Sequence, residues 1–505
     1  MSDRAAARFV QDQLCALLVA NSSALALLYQ EQWSTWGELA SVANDLEERL
    51  EQLDVPQRGR VALVLRNRPS GLAALLGLLA AGRVPALVSP IQPPNSIAAA
   101  VEALSPVALV VDPEDYSDEL AAVALRSECA GLTLSTSVEV RYAPNVIPRE
   151  GDRLVGDDVA MIVPTSGTAG PPKPIPMFWE QLPFDASRGI RTPLPSDMRP
   201  PIIHALSMAT ITGVMGVLRA SARGRAMALL ERVDVDEWSR LVVRFQLRVA
   251  GLPPAAMRTM LDAGIPPERL ASLEAWQTGS APLTPELQRE FETTFDVPVL
   301  VAYGATEFGG AVSAWTLNMH REWSERKLGS VGRSVDGVEL RITDQDSDEP
   351  LPAGRIGILS VRVPGAAGAD SDGWLRTNDL ARIDDDRFLF IHGRADDVII
   401  RGGFKVSLGE LEALVREHPG VRDVAAVGLE EPRLGEVPAV AVILEQGAMV
   451  TPDGLRTWVR ERTAPYKVPT LVVVLDALPM GSSHKVNRAA VREILRQSVP
   501  AVIEA

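Results

Sequence analysis

Residues 299–310, VLVAYGATEFGG, read as a β-strand running into a glycine-rich turn. The apolar, β-branched start marks the strand, and Gly304, Gly309 and Gly310 mark the turn. The turn presents Thr306 and Glu307 at the strand's carboxyl end, where open α/β sheets bind their ligands. A Thr hydroxyl can bond a phosphate oxygen, and a Glu can hold Mg²⁺. Standing alone, the same letters also describe an exposed Thr–Glu helix start, so the neighbouring segments decide.

Four further segments carry related chemistry. LEAWQTGSAPLTPEL (273–287) is a second strand ending in a small-residue turn, Gly279–Ser280–Ala281–Pro282. In TSGTAGPPK (165–173), Gly167 and Gly170 let backbone N–H groups approach an anion, Thr165, Ser166 and Thr168 add hydroxyls, and Lys173 adds charge. Its glycines miss the Walker spacing, which excludes a P-loop NTPase and leaves a phosphate loop or a polar turn. Within GWLRTNDLARIDDDRFLFIHGRADD (373–397), Asp379 can accept hydrogen bonds from a ribose diol with Arg394 nearby; solvated charges are the ordinary reading. In ALPMGSSHKVNRAAV (477–491), Lys485 sits in a polar loop before a helix, where most lysines simply face solvent.

At 505 residues the chain has room for two or more domains. Its net charge of −15 argues against a nucleic-acid surface, which needs clustered Lys and Arg. Cys15 and Cys129 are the only cysteines, which excludes a disulfide framework and fits a reducing cytoplasm. No apolar signal core opens the sequence. The most apolar stretch, 71–88, is broken by Arg83 and Pro85, short of a membrane span. The five histidines show no ligand spacing, so no structural zinc is expected. Cytoplasmic localisation, with no membrane or nucleic-acid partner, is the expectation.

Strand and helix patterns alternate from the start. A helix is expected within 33–53 with Ser34 or Thr35 as its cap, a strand at 60–67, a helix over 70–82, and strands at 84–90 and 107–113. This predicts an α/β fold: a large N-terminal domain of β-sheets covered by helices, residues 1–393. Beyond a joint at 394–397, residues 398–505 read as a small mobile α+β domain carrying the Lys485 loop.

Taken in order and separation, these segments resemble the adenylate-forming superfamily: acyl-CoA synthetases, peptide-synthetase adenylation domains and firefly luciferase. GSVGRSVDGVELRI (329–342) and GRADDVIIRGGFKVSLGELE (393–412) match as well. The resemblance implies that a carboxylate attacks the α-phosphate of ATP, giving acyl-AMP and pyrophosphate, and that a thiol, commonly coenzyme A, then displaces AMP. It implies that the Thr165–Lys173 loop holds the β- and γ-phosphates. Gly279, Ser280, Ala281, Pro282, Tyr303, Gly304 and Ala305 would border the nucleotide. Thr306 would touch the α-phosphate, Glu307 would hold Mg²⁺, and Asp379 and Arg394 would bind the ribose. Lys485 would bridge carboxylate and phosphate, neutralising charge where two anions meet. Asp396 falls at the hinge and Gly403 in the coenzyme A tunnel.

The sequence departs from the family pattern in places. Ala169 stands for a Thr, Pro174 for a Gly, and Phe178–Trp179 for a hydroxyl–His pair; His484 replaces the Gly before the loop lysine, and Asn378 the Gly before Asp379. Three functions follow: a complete acyl-CoA synthetase; an adenylation-deficient relative using acyl-AMP from a separate adenylating enzyme; or a carrier-protein-loading ligase or non-catalytic AMP-binding member. The acyl pocket is expected from His204, Ala209, Thr210, Gly213, Phe308, Gly309 and Gly310. Small residues there, with Ala256, Gly279 and Ala305, point either to a bulky, mostly apolar acid or to close helix–sheet packing.

Overall fold

The computed structural model describes residues 3–20, 23–145, 147, 154–164, 173–183, 199–345, 347–363, 366, 368–401, 404–431, 433–481 and 486–498. Contacts divide them into two compact units: residues up to Gly329 with Val363–Gly373, and Ser330–Arg362 with Trp374 onward.

The first unit holds three sheets. A seven-stranded sheet runs Val138–Tyr142, Ala130–Leu134, Ala108–Val111, Arg60–Val64, Val84–Leu87, Val159–Pro164, Pro174–Phe178. Its five inner strands are parallel and its two edge strands antiparallel. Parallel strands buried on both faces read as near-continuous Val, Leu and Ala, as Ala108–Val111 does. The second sheet comprises Ile202–His204, Met227–Leu229, Leu25–Tyr29 and Gln32–Thr35. In the third, Val249–Ala250, Ala275–Gly279 and Val299–Ala305 are parallel and Gly310–Ala314 returns antiparallel.

Local chemistry explains the covering helices. Trp36–Gln52 starts in a capping box: Thr35 Oγ1 accepts from Glu38 N at 3.2 Å, and Thr35 N donates to Glu38 Oε2 at 2.7 Å. Pro69–Ala80 begins with proline, whose missing N–H costs nothing at a first turn. The arginine interrupting the most apolar stretch is only 2% exposed. Arg83 donates to Glu47 Oε2 at 2.7 Å and to the Val55 carbonyl at 3.0 Å, so its charge is paired where it is buried. Among the described residues, no helix is long and apolar enough to cross a membrane.

A polar cluster joins two of these sheets where strand Arg60–Val64 gives way to helix Pro69–Ala80. Arg66 forms two 2.7 Å bonds to Asp115, Arg68 bonds both oxygens of Glu231, and Tyr29 donates to Glu231 at 2.7 Å. Between the arginines, Asn67 donates to the carbonyls of Leu206 and Leu230 and accepts from Met208 N. Hydrogen bonding from Arg68 holds Glu231 down at about 2. Burial instead pushes Asp112 up to about 6, although its carboxylate accepts from Arg66 N at 2.6 Å and Arg68 lies 3.9 Å away.

The second unit opens with an antiparallel sheet of Glu339–Thr343, Gly357–Arg362, Trp374–Ile383 and Leu389–Arg394. A further sheet contains Phe404–Ser407, Val398–Arg401, Gly435–Leu444 and Val421–Glu431, with Leu471–Val474 parallel to Gly435–Leu444. Strand alternation supplies two cores. Val424 and Ala426 join Leu411, Val415 and Leu455; Ala425 and Val427 join Val491 and Leu495. The sheet is thus covered on both faces, an α+β layer like the one expected beyond residue 398.

The raised Asp112 value has a definite sign. A carboxyl that binds its proton more tightly when folded contributes stability below its ordinary 3.8, lost as pH rises through about 6. Asp112→Asn is therefore expected to gain stability on the parent, by about 1–3 kcal/mol, as thermal unfolding is followed from pH 4 to pH 7. A difference constant with pH would contradict this.

Candidate active site

The site is built on two neighbouring parallel strands. Ala275–Gly279 and Val299–Ala305 pair in parallel, with Thr278 opposite Val301 and Gly279 opposite Ala302. Both strands leave the sheet at its carboxyl edge, Gly279–Ser280 level with Ala302–Tyr303 and Thr306–Glu307 three residues farther along. Ser280 takes a left-handed φ of 68° and turns the chain sharply. Ala281 and Pro282 follow, and Thr284 caps the helix Pro285–Phe295 by accepting from Leu287 N.

After Ala305 the chain makes one tight turn, Thr306–Phe308, closed by Gly309 N donating to the Thr306 carbonyl at 3.0 Å. It returns as Gly310–Ala314, with Ala305 opposite Gly310 and Gly304 opposite Ala311. This hairpin demands glycine at its neck: a Cβ on Gly304 would lie 2.0 Å from the Gly310 carbonyl oxygen. Thr306 and Phe308 are buried and Glu307 is half-buried. Tyr303 is half-buried too, its ring 6.4 Å from that of Phe308.

Helix Ile211–Ala222 borders the same edge. Thr210 caps it, accepting from Gly213 N at 3.2 Å and donating to the Ser207 carbonyl at 2.8 Å. The hydroxyls of Thr212 and Ser280 lie 2.8 Å apart, tying the first turn to the end of strand Ala275–Gly279. A Cβ on Gly213 would stand 1.9 Å from the Ser207 carbonyl oxygen, so that glycine answers a packing need. Ala209 and Ala256 are buried among core side chains. His204 is 7% exposed and packs on Gly216. Burial pulls it down to about 4, so its ring is neutral at neutral pH.

Of the phosphate loop, Thr165, Ser166, Gly167, Thr168 and Gly170 lie outside the described residues. Its flanks are clear. Pro164 pairs with Pro174, and exposed Lys173 stands at the neck between them. Pro174 and Pro176 are accommodated because Pro174–Phe178 is an edge strand. Trp179 is 2% exposed and donates to the Asp157 carbonyl at 3.2 Å, so it serves the core.

In the second unit, Asp379 and Arg394 are direct cross-strand partners. Thr377 Oγ1 accepts from Asp379 N at 2.9 Å and donates to the Leu359 carbonyl at 2.8 Å, fixing the backbone that carries the carboxylate. Ala395–Asp397, which contains Asp396, forms a single 3-10 turn after Arg394. Lys485 and Gly403 lie outside the described residues; Met480 and Val486 bridge on either side of the Lys485 segment. Among the described residues no three His, Cys, Asp or Glu side chains gather as a metal site.

Sequence reasoning missed Thr212, Arg219, Asn67 and Gln181. Thr212 and Arg219 recur at helical spacing on one face, but nothing in the letters shows what that face meets.

Known proteins share this architecture. The family described as AMP-binding enzyme matches residues 19–368, and the AMP-binding enzyme C-terminal domain matches residues 410–485. The 4-coumarate:CoA ligase 1 of Petunia hybrida is 25% identical over 495 residues, covering 92% of this chain and 90% of its own. The 4-coumarate–CoA ligase 3 of Oryza sativa subsp. japonica is 27% identical over 496 residues, covering 93% and 89%. ATP-bound MatB from Rhodopseudomonas palustris superposes with a TM-score of 0.80 at 24% identity, over 97% of this chain and 99% of that one. The o-succinylbenzoate CoA synthetase of Bacillus subtilis with its acyl-adenylate gives 0.74 at 22% identity, over 96% and 97%. The shared fold is a large N-terminal sheet domain with a small C-terminal domain.

Gly213→Ala tests the packing at this edge. Its Cβ must displace backbone, so a loss of about 1–3 kcal/mol in thermal or denaturant unfolding is expected. An unchanged melting temperature would contradict it.

Proposed function

The chain belongs to the AMP-binding enzyme family, and on that footing we propose that it is an AMP-forming acyl-CoA synthetase. One observation carries the reading: the parallel register of Ala275–Gly279 and Val299–Ala305, which sends the Ser280 turn and, three residues farther along, the Thr306–Glu307 turn off the same carboxyl edge of the sheet. There a carboxylate oxygen attacks the α-phosphorus of ATP, and the bond to pyrophosphate breaks. The thiol sulfur of coenzyme A then attacks the acyl carbon and AMP leaves.

Thr306 positions the α-phosphate, and Gly279–Pro282 with Tyr303, Gly304 and Ala305 border the adenine. Asp379 accepts from the ribose hydroxyls beside Arg394. Glu307 holds Mg²⁺, which when bound neutralises polyphosphate charge. Lys485 draws the carboxylate to the phosphate, Asp396 serves as the hinge, and Gly403 lines the route for the thiol. The acid is bulky and largely apolar, of aryl size. The similarity to 4-coumarate–CoA ligases supports this, as does the small Ala305. The smallness of Gly213, Ala209 and Ala256 no longer argues for it.

A second reading is an adenylation-deficient enzyme fed with acyl-AMP. It is favoured by the apolar edge strand Pro174–Phe178 and core-bound Trp179, which occupy positions where the family carries flexible and polar residues.

With Mg²⁺, ATP and an aryl acid such as 4-coumarate or benzoate, labelled pyrophosphate is expected to exchange into ATP. Lys485→Ala should reduce that exchange about 100-fold or more while thioester formation from synthetic acyl-AMP persists. Equal loss of both halves would contradict the role of Lys485. Absent exchange across an acid panel, with thioester still formed from acyl-AMP, would establish the second reading. Asp379→Ala is expected to raise the KM for ATP about 10- to 100-fold, the loss of charge-assisted hydrogen bonds. An unchanged KM would remove Asp379 from the ribose site.

A further inference from the structure

We propose that Arg219 recognises a second carboxylate at the far end of the aryl-sized acid, so that the substrate is an aromatic dicarboxylic acid activated at one end only. The proposal deepens the ligase reading and rests on it for the position of the first carboxylate.

The argument begins with helix Ile211–Ala222. Thr212 and Arg219 are seven residues apart, near two full turns, so they share a face about 10 Å long. Thr212 is fixed against Ser280, at the end of strand Ala275–Gly279. Arg219 reaches the other end of the same sheet edge: its Nη2 lies 3.3 Å from where a Cβ on Gly310 would stand. Gly310, with a φ of 143°, leaves room for the guanidinium beside the backbone. This exposed helix face thus has a hydroxyl pair at one end and a cation beside the glycine turn at the other.

A second N–H group faces the same turn. Gln181 Oε1 accepts from Phe178 N at 2.8 Å, which fixes the amide, and its Nε2 lies 3.2 Å from the Cβ position of Gly309. Met177 Cε, at 3.3 Å from that position, supplies an apolar side.

Arg219 also stands apart from the arginines of this acidic chain that already hold an anion. Arg66, Arg68, Arg83, Arg244, Arg248, Arg258 and Arg269 each meet a carboxylate. Among the described residues Arg219 meets none, and its charged neighbour is another cation, Arg223. The side chain keeps solvent access while dense surroundings, together with Arg223, lower its pKa. A cation so placed gains most from an anion brought in by a ligand, and a carboxylate matches the guanidinium fork with two parallel bonds.

The test pairs aromatic acids of matched size: isophthalate with 3-toluate and terephthalate with 4-toluate. Coenzyme A thioester formation gives kcat/KM for each, and calorimetric titration of each acid into the full chain gives binding without turnover. The parent is expected to prefer the dicarboxylate in at least one pair. Arg219→Ala should lower the dicarboxylate-to-monocarboxylate ratio about 10- to 100-fold in both measurements, the worth of a charge-assisted pair, and Arg219→Lys should restore part of it. Preference for the monocarboxylate in every pair, or a ratio unmoved by Arg219→Ala, overturns the proposal and leaves the ligase reading intact. Discrimination in binding with no thioester from any acid keeps Arg219 as the recognition group and defeats the ligase reading instead.

Discussion

The Gly304 and Gly310 backbones approach so closely that no side chain fits between them. That contact closes the hairpin whose tip is Thr306–Phe308, and it sets where a buried hydroxyl and a half-buried carboxylate emerge from the sheet. Everything at this edge is placed relative to the tip. The parallel register to Ala275–Gly279 sets the level, near Tyr303, at which Ser280 leaves the sheet; Ser280 holds Thr212; and Thr212 begins a helix whose next turns carry Gly216 and Arg219. A few backbone contacts thus position chemistry drawn from three stretches of chain.

Much of this was legible in the letters because turns and strand ends carry strong local signals. The strand before YGATEFGG, the Thr35 cap and the strand–helix alternation beyond residue 398 follow from period, capping chemistry and glycine placement. So did the pairing of Asp379 with Arg394, in the limited sense that both were marked as ribose candidates. That they stand opposite each other depends on strand register, which no local pattern states. The same limit hid Asn67, whose three bonds reach residues 206, 208 and 230.

Small residues were the ambiguous class. Gly213 and Ala256 read equally as cavity wall or close packing, and the Ser207 carbonyl decides for packing at Gly213. Trp179 was ambiguous in the opposite way: beside a phosphate loop it looks like a lost polar position, whereas its indole is a core anchor bonded to Asp157. An edge strand tolerates the prolines that precede it. Residues 174–179 are therefore well-formed structure, and what they do to the expected phosphate loop is a question about chemistry rather than folding.

The central claim is that a carboxylate of the substrate is joined to AMP on this sheet edge before any thiol reacts. The most direct measurement supplies an acid whose carboxylate carries heavy oxygen, with ATP, Mg²⁺ and coenzyme A, and weighs the AMP released. Attack on the α-phosphorus through a carboxylate oxygen predicts AMP containing one heavy oxygen atom, because the phosphate keeps that atom when the thiol cleaves the acyl bond. Thioester formed with unlabelled AMP, or with ADP as the nucleotide product, would contradict the account.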